Sequence, residues 1–276
     1  MCDSKVLKTI FLFVAIATLF LYGGITKAKY VQNGLISYWT FDKADIDRDV
    51  VKDIIGNHNG TIVGKVKAVE GKINEALLFN KDDLRGDHVD VGVEINPKIH
   101  KRLTIEGWFK FVDRVKGSIH VLMCAREGGW VASKGISFLY SNGYQAEGFT
   151  MYFRMHKAGG PANLAYKPFE PELDKWYHYV STYDSEELKF YVNGEEVAKL
   201  DINEGPEKSS TSLKIAHSSL FGNKWDFPGV VDEVRIYNRA LSNDEVKQNF
   251  ASEGGVAIDY SIEKLSLTWG KIKVSR

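Results

Sequence analysis

The chain has 276 residues, of which 36 are basic and 36 are acidic, and its formal net charge at pH 7 is zero. That balance gives no electrostatic reason to expect a nucleic acid or an anionic membrane surface as a partner. The length suffices for one large domain with a sizeable hydrophobic core.

The first 28 residues have the layout of a secretory signal peptide. A short, positively biased start, MCDSKVLK, precedes the apolar run TIFLFVAIATLFLYGGI, and Thr26 and Ala28 suit the third and first positions before a cleavage site. We therefore predict a secreted or cell-surface protein that is not inserted in a membrane once the leader is cleaved. The alternative is an uncleaved N-terminal anchor, because the apolar run is nearly long enough to span a bilayer.

The cysteines carry little functional information. Cys2 lies in the leader, so we expect no intramolecular disulfide after cleavage. A secreted domain of this size can fold without one. Cys124 lies in the apolar segment IHVLMCARE, which predicts a small core residue rather than a catalytic thiol.

After the leader, the sequence predicts many short β-strands separated by Gly, Asn and Asp. Val, Ile, Tyr, Phe, Trp and Thr dominate these segments and alternate with a period of two. In residues 103–111, for example, Leu103, Ile105 and Phe109 share one face. The predicted strands are GLISYWTF (34–41), HVDVGV (88–93), LTIEGWFKF (103–111), IHVLMCA (119–125), GISFLYS (135–141), GFTMYFRM (148–155), WYHYVSTY (176–183) and ELKFYV (187–192).

Two local signals complete the predicted architecture. Asn193-Gly194 between two apolar runs predicts a two-residue hairpin, because both central positions of that turn need positive φ. Ser242, followed by Glu245 three residues later, predicts a capping box and one short C-terminal helix. Many strands with a single short helix indicate an all-β antiparallel sandwich or barrel of the jelly-roll type.

The stretch GVVDEVRIYNRALSNDEV (229–246) carries an acidic residue on a predicted core face. Strict alternation places Asp232 with the apolar residues Val230, Val234 and Ile236, and places Arg235 on the opposite face. A charge on a core-facing position is costly unless it is neutralised. Asp232 could be neutralised by a cation, by an arginine such as Arg48 or Arg235, or by the amides of a loop. The predicted position of Arg235 on the opposite face makes it the weaker of the two arginines. A solvent-exposed position at the rim of the sheet is a further alternative.

Several segments, in this order, resemble the LamG-like (laminin-G-like, concanavalin A-like) jelly-roll family of exported proteins. The resemblance runs from about residue 34 to residue 250 and implies one jelly-roll domain at 29–252, followed by a tail at 253–276. The tail alternates apolar and polar residues, which suits a final strand, a disordered extension or an export tag. The segments that carry the resemblance are GLISYWTFD, VVKDIIGNHNGTIVG, GKINEALLFN, HVDVGVE, LTIEGWFKF, KWYHYVSTYDSEELKFYVNGEEVA and FPGVVDEVRIYNRALSNDEV.

The resemblance implies a structural Ca²⁺ ion. Family members often hold this ion between the loop after the first strand and a strand near the C-terminus. The positions that match here are Asp42, Asp53, Asn57 and Asp232, with backbone carbonyls around Asn57 and His58 as further candidates. Ca²⁺ takes roughly six to eight oxygen ligands, and the Gly-rich segment DIIGNHNG can supply several of them.

The sequence favours a non-catalytic protein. Glycoside hydrolases on related folds need two carboxylates roughly 5–10 Å apart on one surface. The laminarinase-type spacing of acidic residues along one strand is absent from the sequence. A divergent glycoside hydrolase or lyase, built from carboxylates on distant strands, and a purely structural surface domain are the alternatives.

Three aromatic residues on predicted loops suit a lectin-like binding or adhesion function. Trp130, Tyr144 and Trp225 occupy positions where a flat ring can stack on a sugar or contact an extracellular protein. We therefore predict a glycan or a surface protein as the ligand. In the alternative interpretation, Trp225 and Phe227 only cover the end of the sandwich next to the ion site.

Overall fold

The computed structural model describes residues 29–80, 86–92, 101–114, 116–128, 133–144, 148–157, 160–218 and 225–252. The predicted leader at 1–28, the tail at 253–276 and Trp130 lie outside these ranges. Within them the chain forms two antiparallel β-sheets that pack face to face, with one short α-helix and one 3-10 helix.

The strands and the two helices have the following bounds. They are β1 (Leu35–Trp39), β2 (Ile46–Asp47), β3 (Val50–Val51), β4 (Gly60–Val63), β5 (Lys67–Glu70), β6 (Glu75–Phe79), β7 (His88–Gly92), β8 (Leu103–Phe111), β9 (Ser118–Gly128), β10 (Ser133–Asn142), β11 (Phe149–Lys157), β12 (Gly160–Tyr166), β13 (Trp176–Tyr183), β14 (Glu187–Val192), β15 (Glu195–Asp201), β16 (Leu213–Ile215) and β17 (Gly229–Tyr237), with a 3-10 helix at Lys43–Asp45 and α1 at Asn243–Ala251.

The two sheets have different strand orders. The eight-stranded sheet runs β15-β14-β13-β8-β17-β6-β5, and β1 also pairs with β17. The nine-stranded sheet runs β12-β11-β10-β9-β16-β7-β4-β3-β2. The main hydrophobic core lies between the sheets, where aromatic rings meet edge to face, as Phe109 and Phe138 do at 6.1 Å. Such edge-to-face pairs are favourable beyond the apolar area that they bury.

The fold class and the local signals predicted from the sequence are confirmed. Each predicted strand coincides with an observed one, and Leu103, Ile105 and Phe109 all face the main core. The hairpin turn has positive φ at both central residues, 51° at Asn193 and 83° at Gly194. Helix α1 begins at Asn243 behind a complete capping box, in which the Ser242 hydroxyl accepts from the Glu245 amide.

The strict alternation predicted for β17 is wrong, because a β-bulge interrupts the strand. The register with β8 shifts between Asp232 and Arg235, and Glu233 at the bulge has a φ of 55°. Beyond the bulge Val234 faces the core, so Asp232 and Arg235 share the outer face of the eight-stranded sheet. An inserted residue changes the side-chain parity of a strand, and this is why the sequence pattern misplaced Asp232.

A polar cluster lies on this outer face, beneath helix α1 and the segment before β1, and Arg235 is its centre. The Arg235 guanidinium donates to Glu106 Oε1 at 3.1 Å and also binds Glu233, and all three side chains are at most 1% exposed. Tyr38 donates to Glu233 and stacks on the guanidinium, with its ring centroid 4.3 Å away. Asn249 of α1 donates to both oxygens of Glu106, at 2.9 and 3.0 Å. The cluster therefore ties β1, β8, β17 and α1 together.

The replacement Arg235→Gln should lower the free energy of unfolding by about 3–5 kcal/mol, because it leaves two buried carboxylates without their cation. Urea denaturation measures this change. The matched control is Arg239→Gln, which removes a partly exposed ion pair with Glu245 and should cost about 1 kcal/mol or less. Equal losses in the two variants would contradict a central role for Arg235.

Candidate functional site

Asp42 and Asp232, two of the predicted calcium ligands, meet at one tight turn formed by residues 72–75. Asp232 Oδ2 accepts from the amides of Lys72 and Ile73, at 2.8 and 3.0 Å. Asp42 Oδ1 accepts from the Glu75 amide at 3.0 Å, and Asp42 Oδ2 from the Asn74 side chain at 3.1 Å. One of the alternatives considered for Asp232, the capping of loop amides, is therefore what the structure shows.

The Oδ1 atom of Asp232 has no hydrogen-bond partner among the described residues. Asp232 is fully buried, and its Oδ1 accepts no hydrogen bond. Burial, together with the nearby negative charges of Glu233 and Asp42, raises the pKa of Asp232 to about 9. Without a cation this carboxyl group is therefore held mainly in its protonated form at neutral pH.

Asp53 and His58 organise a separate loop against β1, and Asn57 lies on the same loop. Asp53 Oδ1 accepts from the amides of Tyr38, Ile55 and Gly56 at 2.9–3.2 Å, and Asp53 Oδ2 lies 3.3 Å from His58 Nδ1. Although burial raises the pKa of Asp53, these backbone hydrogen bonds outweigh it and give a net lowering. The His58 carbonyl accepts from the Trp39 indole at 2.9 Å, and Asn57 is exposed.

The five predicted ligands therefore fit a calcium ion only in part. Asp53 and His58 bind each other and β1, whereas Asp42 and Asp232 bind the turn 72–75. Within the same ranges, no three side chains of His, Cys, Asp or Glu converge closely enough to hold a metal ion. Asp42 and Asp232 fit best, since Asp232 Oδ1 is a buried acceptor without a donor, and the other ligands would be backbone or water oxygens.

Tyr144 and Trp225, two of the predicted ligand-binding residues, lie together on the other side of the molecule. Their rings meet edge to face, with centroids 5.7 Å apart, on the outer face of the nine-stranded sheet. A bridge between Asp226 and Val121 anchors the segment that carries Trp225 to β9. Phe227, in contrast, is buried in the main core. Trp225 is thus on the opposite sheet from Asp232 and does not cover the candidate ion site. The third predicted residue, Trp130, lies outside the described residues.

The register of the nine-stranded sheet arranges its outer face in three neighbouring rows. The first, which we call the aromatic row, pairs Ala165, Tyr152, Leu139 and Val121 across four strands and adjoins Trp225. The second, the polar row, pairs Asn163, Arg154, Ser137, Cys124, Lys214 and Asp90 across six strands. The third, the basic row, pairs Pro161, His156, Gly135 and Arg126.

The segment 207–210 borders this face at the basic row. The Gly135 amide donates to the Glu207 carbonyl at 3.0 Å, and Glu207 donates to the His156 carbonyl at 2.8 Å. Gly135 has a φ of 93°, and a Cβ placed on it would come within 1.8 Å of the Ala125 carbonyl oxygen and 2.9 Å of Ser209 Cβ. A glycine is therefore required where this segment crosses the sheet.

Tyr152, Arg154 and Arg126 are candidate functional residues that the sequence analysis did not single out. The segment GFTMYFRM gave the signal, because Tyr152 and Arg154 alternate with Met151, Phe153 and Met155, which face the main core. A strand whose second face carries a tyrosine and an arginine presents that face to something other than the core. That Arg126 lies near Tyr152 and Arg154 follows from the pairing of β9 and β11 with β10, which the sequence does not reveal.

Comparisons with known proteins agree with this architecture. Residues 83–247 match the family model Laminin_G_3, described as the concanavalin A-like lectin/glucanases superfamily. No match was found among curated proteins. In the described residues no helix is both long and apolar enough to cross a membrane.

Three solved structures illustrate the similarity, each at less than 20% sequence identity. The binding domain of Paraclostridial Mosquitocidal Protein 1 gives a TM-score of 0.60 at 19% identity, with 79% of this chain and 52% of that chain covered. Trypanosoma rangeli sialidase in complex with sialic acid gives 0.59 at 19% identity, with 82% and 34% covered, so this chain spans about a third of the sialidase. Domain 4 of AbnA, an extracellular arabinanase from Geobacillus stearothermophilus, in complex with arabinotriose, gives 0.55 at 18% identity, with 79% and 98% covered.

The basic row should make the protein sensitive to acid. Burial, together with Arg126 and Arg154, lowers the pKa of His156 from 6.5 to about 3. Between these two values the unfolded chain binds more protons than the folded one, so the free energy of unfolding falls as the pH falls. The replacement His156→Gln should flatten this slope in urea denaturation between pH 6.5 and pH 3. An unchanged slope would contradict this contribution of His156.

Proposed function

Since the chain belongs to the concanavalin A-like lectin/glucanases superfamily, we propose that it is an exported, non-catalytic module that binds carbohydrate on the outer face of its nine-stranded sheet. The observation that carries this proposal is the grouping of the partly exposed Tyr144 with Tyr152 and Trp225, which are 9% and 8% exposed, on that face. Aromatic rings with one apolar face and one polar group are well suited to stack on a sugar ring and donate a hydrogen bond to it.

The structural neighbours support the same ligand class. Domain 4 of the arabinanase, of which this chain covers 98%, is in complex with arabinotriose, and the mosquitocidal protein fragment is a binding domain. The sialidase is matched over a third of its length, so its enzymatic activity carries no weight for this chain. An exported location suits such a module and agrees with the predicted leader.

A hydrolase or lyase is the second candidate, and one pair of carboxylates bears on it. Glu106 and Glu233 come from different strands and converge on Arg235, but both are fully buried. Hydrolysis of a glycosidic bond needs one acid and one base or nucleophile in contact with the sugar. A shared buried arginine instead suits a structural ion pair, which favours the binding module.

The replacement Trp225→Ala should weaken glycan binding about tenfold or more, because aromatic anchors dominate the energy of such contacts. A glycan array identifies the ligand, and calorimetry then measures Kd for the wild type and the variant. The matched control is Trp176→Ala, a half-buried tryptophan on the eight-stranded sheet, which should leave Kd unchanged. If Trp225→Ala binds the glycan as tightly as the wild type, Trp225 is not part of the binding site. An array on which no glycan is bound would contradict the proposed function.

We further propose that one structural Ca²⁺ ion binds at Asp42 and Asp232, next to the turn 72–75. The ion would supply a positive charge for Asp232 Oδ1, and backbone or water oxygens would complete its coordination. Asp53, Asn57 and His58 were also expected as ligands. Of these, Asp53 already accepts several hydrogen bonds, so it is a weaker candidate than Asp42.

Calcium should raise the melting temperature of the wild type relative to a sample treated with chelator. A ligand that binds only the folded state stabilises that state. In Asp232→Asn the response should disappear, although the asparagine oxygen can still accept from Lys72 and Ile73. The matched control Asp90→Asn, on the opposite sheet, should keep the response. Identical melting temperatures of the wild type with calcium and with chelator would contradict the ion site.

A further inference from the structure

Two histidine rings stack on each other beside the paired strands β7 and β16 of the nine-stranded sheet. The ring of His88, on β7, and the ring of His217, two residues after β16, are nearly parallel at 17°, with centroids 4.6 Å apart. Both residues are buried. The His88 Nδ1 atom donates to the Gly86 carbonyl at 2.6 Å, so the proton that this ring takes up in acid binds at Nε2. A positive charge on one ring therefore acts on the other at contact distance.

His217 also binds the buried carboxylate of Asp226. The His217 Nδ1 atom lies 2.7 Å from Asp226 Oδ1. The Ser218 amide donates to the same oxygen at 3.4 Å, and Asp226 Oδ2 has no hydrogen-bond partner among the described residues. Asp226 is fully buried, and a buried carboxylate is costly without a close donor. The position of Asp226 therefore depends on its contact with His217.

Asp226 attaches Trp225 to the sheet. A bridge joins Asp226 to Val121 of β9. Trp225, the preceding residue, packs in the same outer cluster as Val121 and meets Tyr144 edge to face. A displacement of Asp226 is therefore transmitted directly to the aromatic residue on which the proposed carbohydrate site depends.

The backbone next to His217 is held independently of the two histidine rings. The Ala216 amide donates to the Leu122 carbonyl at 2.7 Å, and the Ala216 carbonyl accepts from the Phe227 amide at 3.1 Å. Phe227 itself is buried in the main core. A repulsion between the rings is therefore relieved by movement of the His217 side chain, which leaves the core in place and withdraws the donor from Asp226.

Charged groups around His88 act on it in opposite directions. Burial lowers the pKa of His88 the most; the Gly86 carbonyl raises it, His217 and Lys214 lower it, and Asp90 raises it, and the net shift is downward. The Lys214 ammonium lies 4.0 Å from the Asp90 carboxylate, and its side chain is about one-fifth exposed. These two surface charges can therefore be removed one at a time to move the protonation of His88 either way.

Two further titratable side chains border the stacked pair. His120 of β9 lies beyond Asp226, with its Nδ1 atom 3.2 Å from the Asp226 backbone carbonyl. Asp87 precedes His88, and its Oδ1 atom accepts from the Lys65 amide at 2.8 Å. Neither of these contacts joins the two stacked rings, so the ring-to-ring contact is the point at which an added proton creates repulsion.

We propose that the stacked pair of His88 and His217 makes carbohydrate binding on this face sensitive to pH, so that the protein holds its ligand at neutral pH and releases it in mild acid. When both rings are protonated they repel each other, the His217 side chain moves away, and Asp226 loses its closest donor. Asp226 and Trp225 then leave their positions on β9, and the contact of Trp225 with Tyr144 is lost. This inference rests on the proposed carbohydrate-binding function and adds a regulation to the same site.

The position of Trp225 can be measured without a ligand, in the full chain labelled with 5-fluorotryptophan. The replacement Trp225→Phe assigns the fluorine resonance of Trp225, and Trp176→Phe assigns a control resonance on the opposite sheet. In the wild type the Trp225 resonance should shift reversibly between pH 7.5 and pH 4, with a midpoint below the ordinary histidine value of about 6.5. The Trp176 resonance should not follow this midpoint. Thermal melting at each pH shows that the protein remains folded.

Variants identify the groups that cause the shift. His88→Gln keeps a donor for the Gly86 carbonyl but cannot be protonated, so the pH-dependent shift should disappear. Lys214→Gln should raise the midpoint by roughly 0.3 pH unit and Asp90→Asn should lower it by a similar amount, because they remove charges of opposite sign. These two surface changes test the proposal even if His88→Gln does not fold. Lys199→Gln, on the edge of the eight-stranded sheet, should leave the midpoint unchanged.

The outcomes separate this inference from the function on which it rests. A Trp225 resonance that does not change with pH, or that keeps its midpoint in folded His88→Gln or in both Lys214→Gln and Asp90→Asn, overturns the inference and leaves carbohydrate binding intact. With a glycan identified on the array, Kd should rise about tenfold or more from pH 7.5 to pH 4.5 in the wild type and stay nearly constant in His88→Gln. A constant Kd in the wild type also overturns the inference. An empty array at neutral pH overturns the proposed function itself.

Discussion

The ion pairs of Arg235 are the interaction on which the arrangement of this domain depends. A guanidinium that is 1% exposed is sustained only by close opposite charges, and Glu106 and Glu233 provide them from two different strands. Burial lowers the pKa of Arg235, but Tyr38 and the two carboxylates outweigh it, so the net shift is upward and the charge is kept. Because Asn249 of α1 also binds Glu106, this helix is fixed by the same ion pairs.

This construction divides the molecule into two outer faces with different roles. The outer face of the eight-stranded sheet is filled by the Arg235 cluster and covered by α1, so it is committed to holding the fold together. The outer face of the nine-stranded sheet carries aromatic and basic rows instead. The candidate ion site and the candidate ligand surface therefore lie on opposite sheets, and a change at one of them need not disturb the other.

The sequence predicts the fold and the local elements well, because these depend on short-range patterns. Alternation identified the strands, Asn193-Gly194 the hairpin, and Ser242 with Glu245 the start of the helix. The alternation pattern placed Asp232 on the wrong face of β17, because it gave no sign of the β-bulge. The residue with positive φ at this bulge is Glu233 rather than a glycine, so the sequence carries no glycine to indicate it. It also missed Arg126 and Arg154, since their proximity arises from the pairing of β9 and β11 with β10.

The turn 72–75 joins parts of the chain that are far apart in sequence. Two acidic residues, Asp42 near the start of the domain and Asp232 near its end, each accept hydrogen bonds from this single turn. Those contacts close the polypeptide into a loop without a covalent link, in a chain where no disulfide does so among the described residues. A protease that cut within this turn would open that loop, so the rate of cleavage at this point reports how firmly both acidic residues are held.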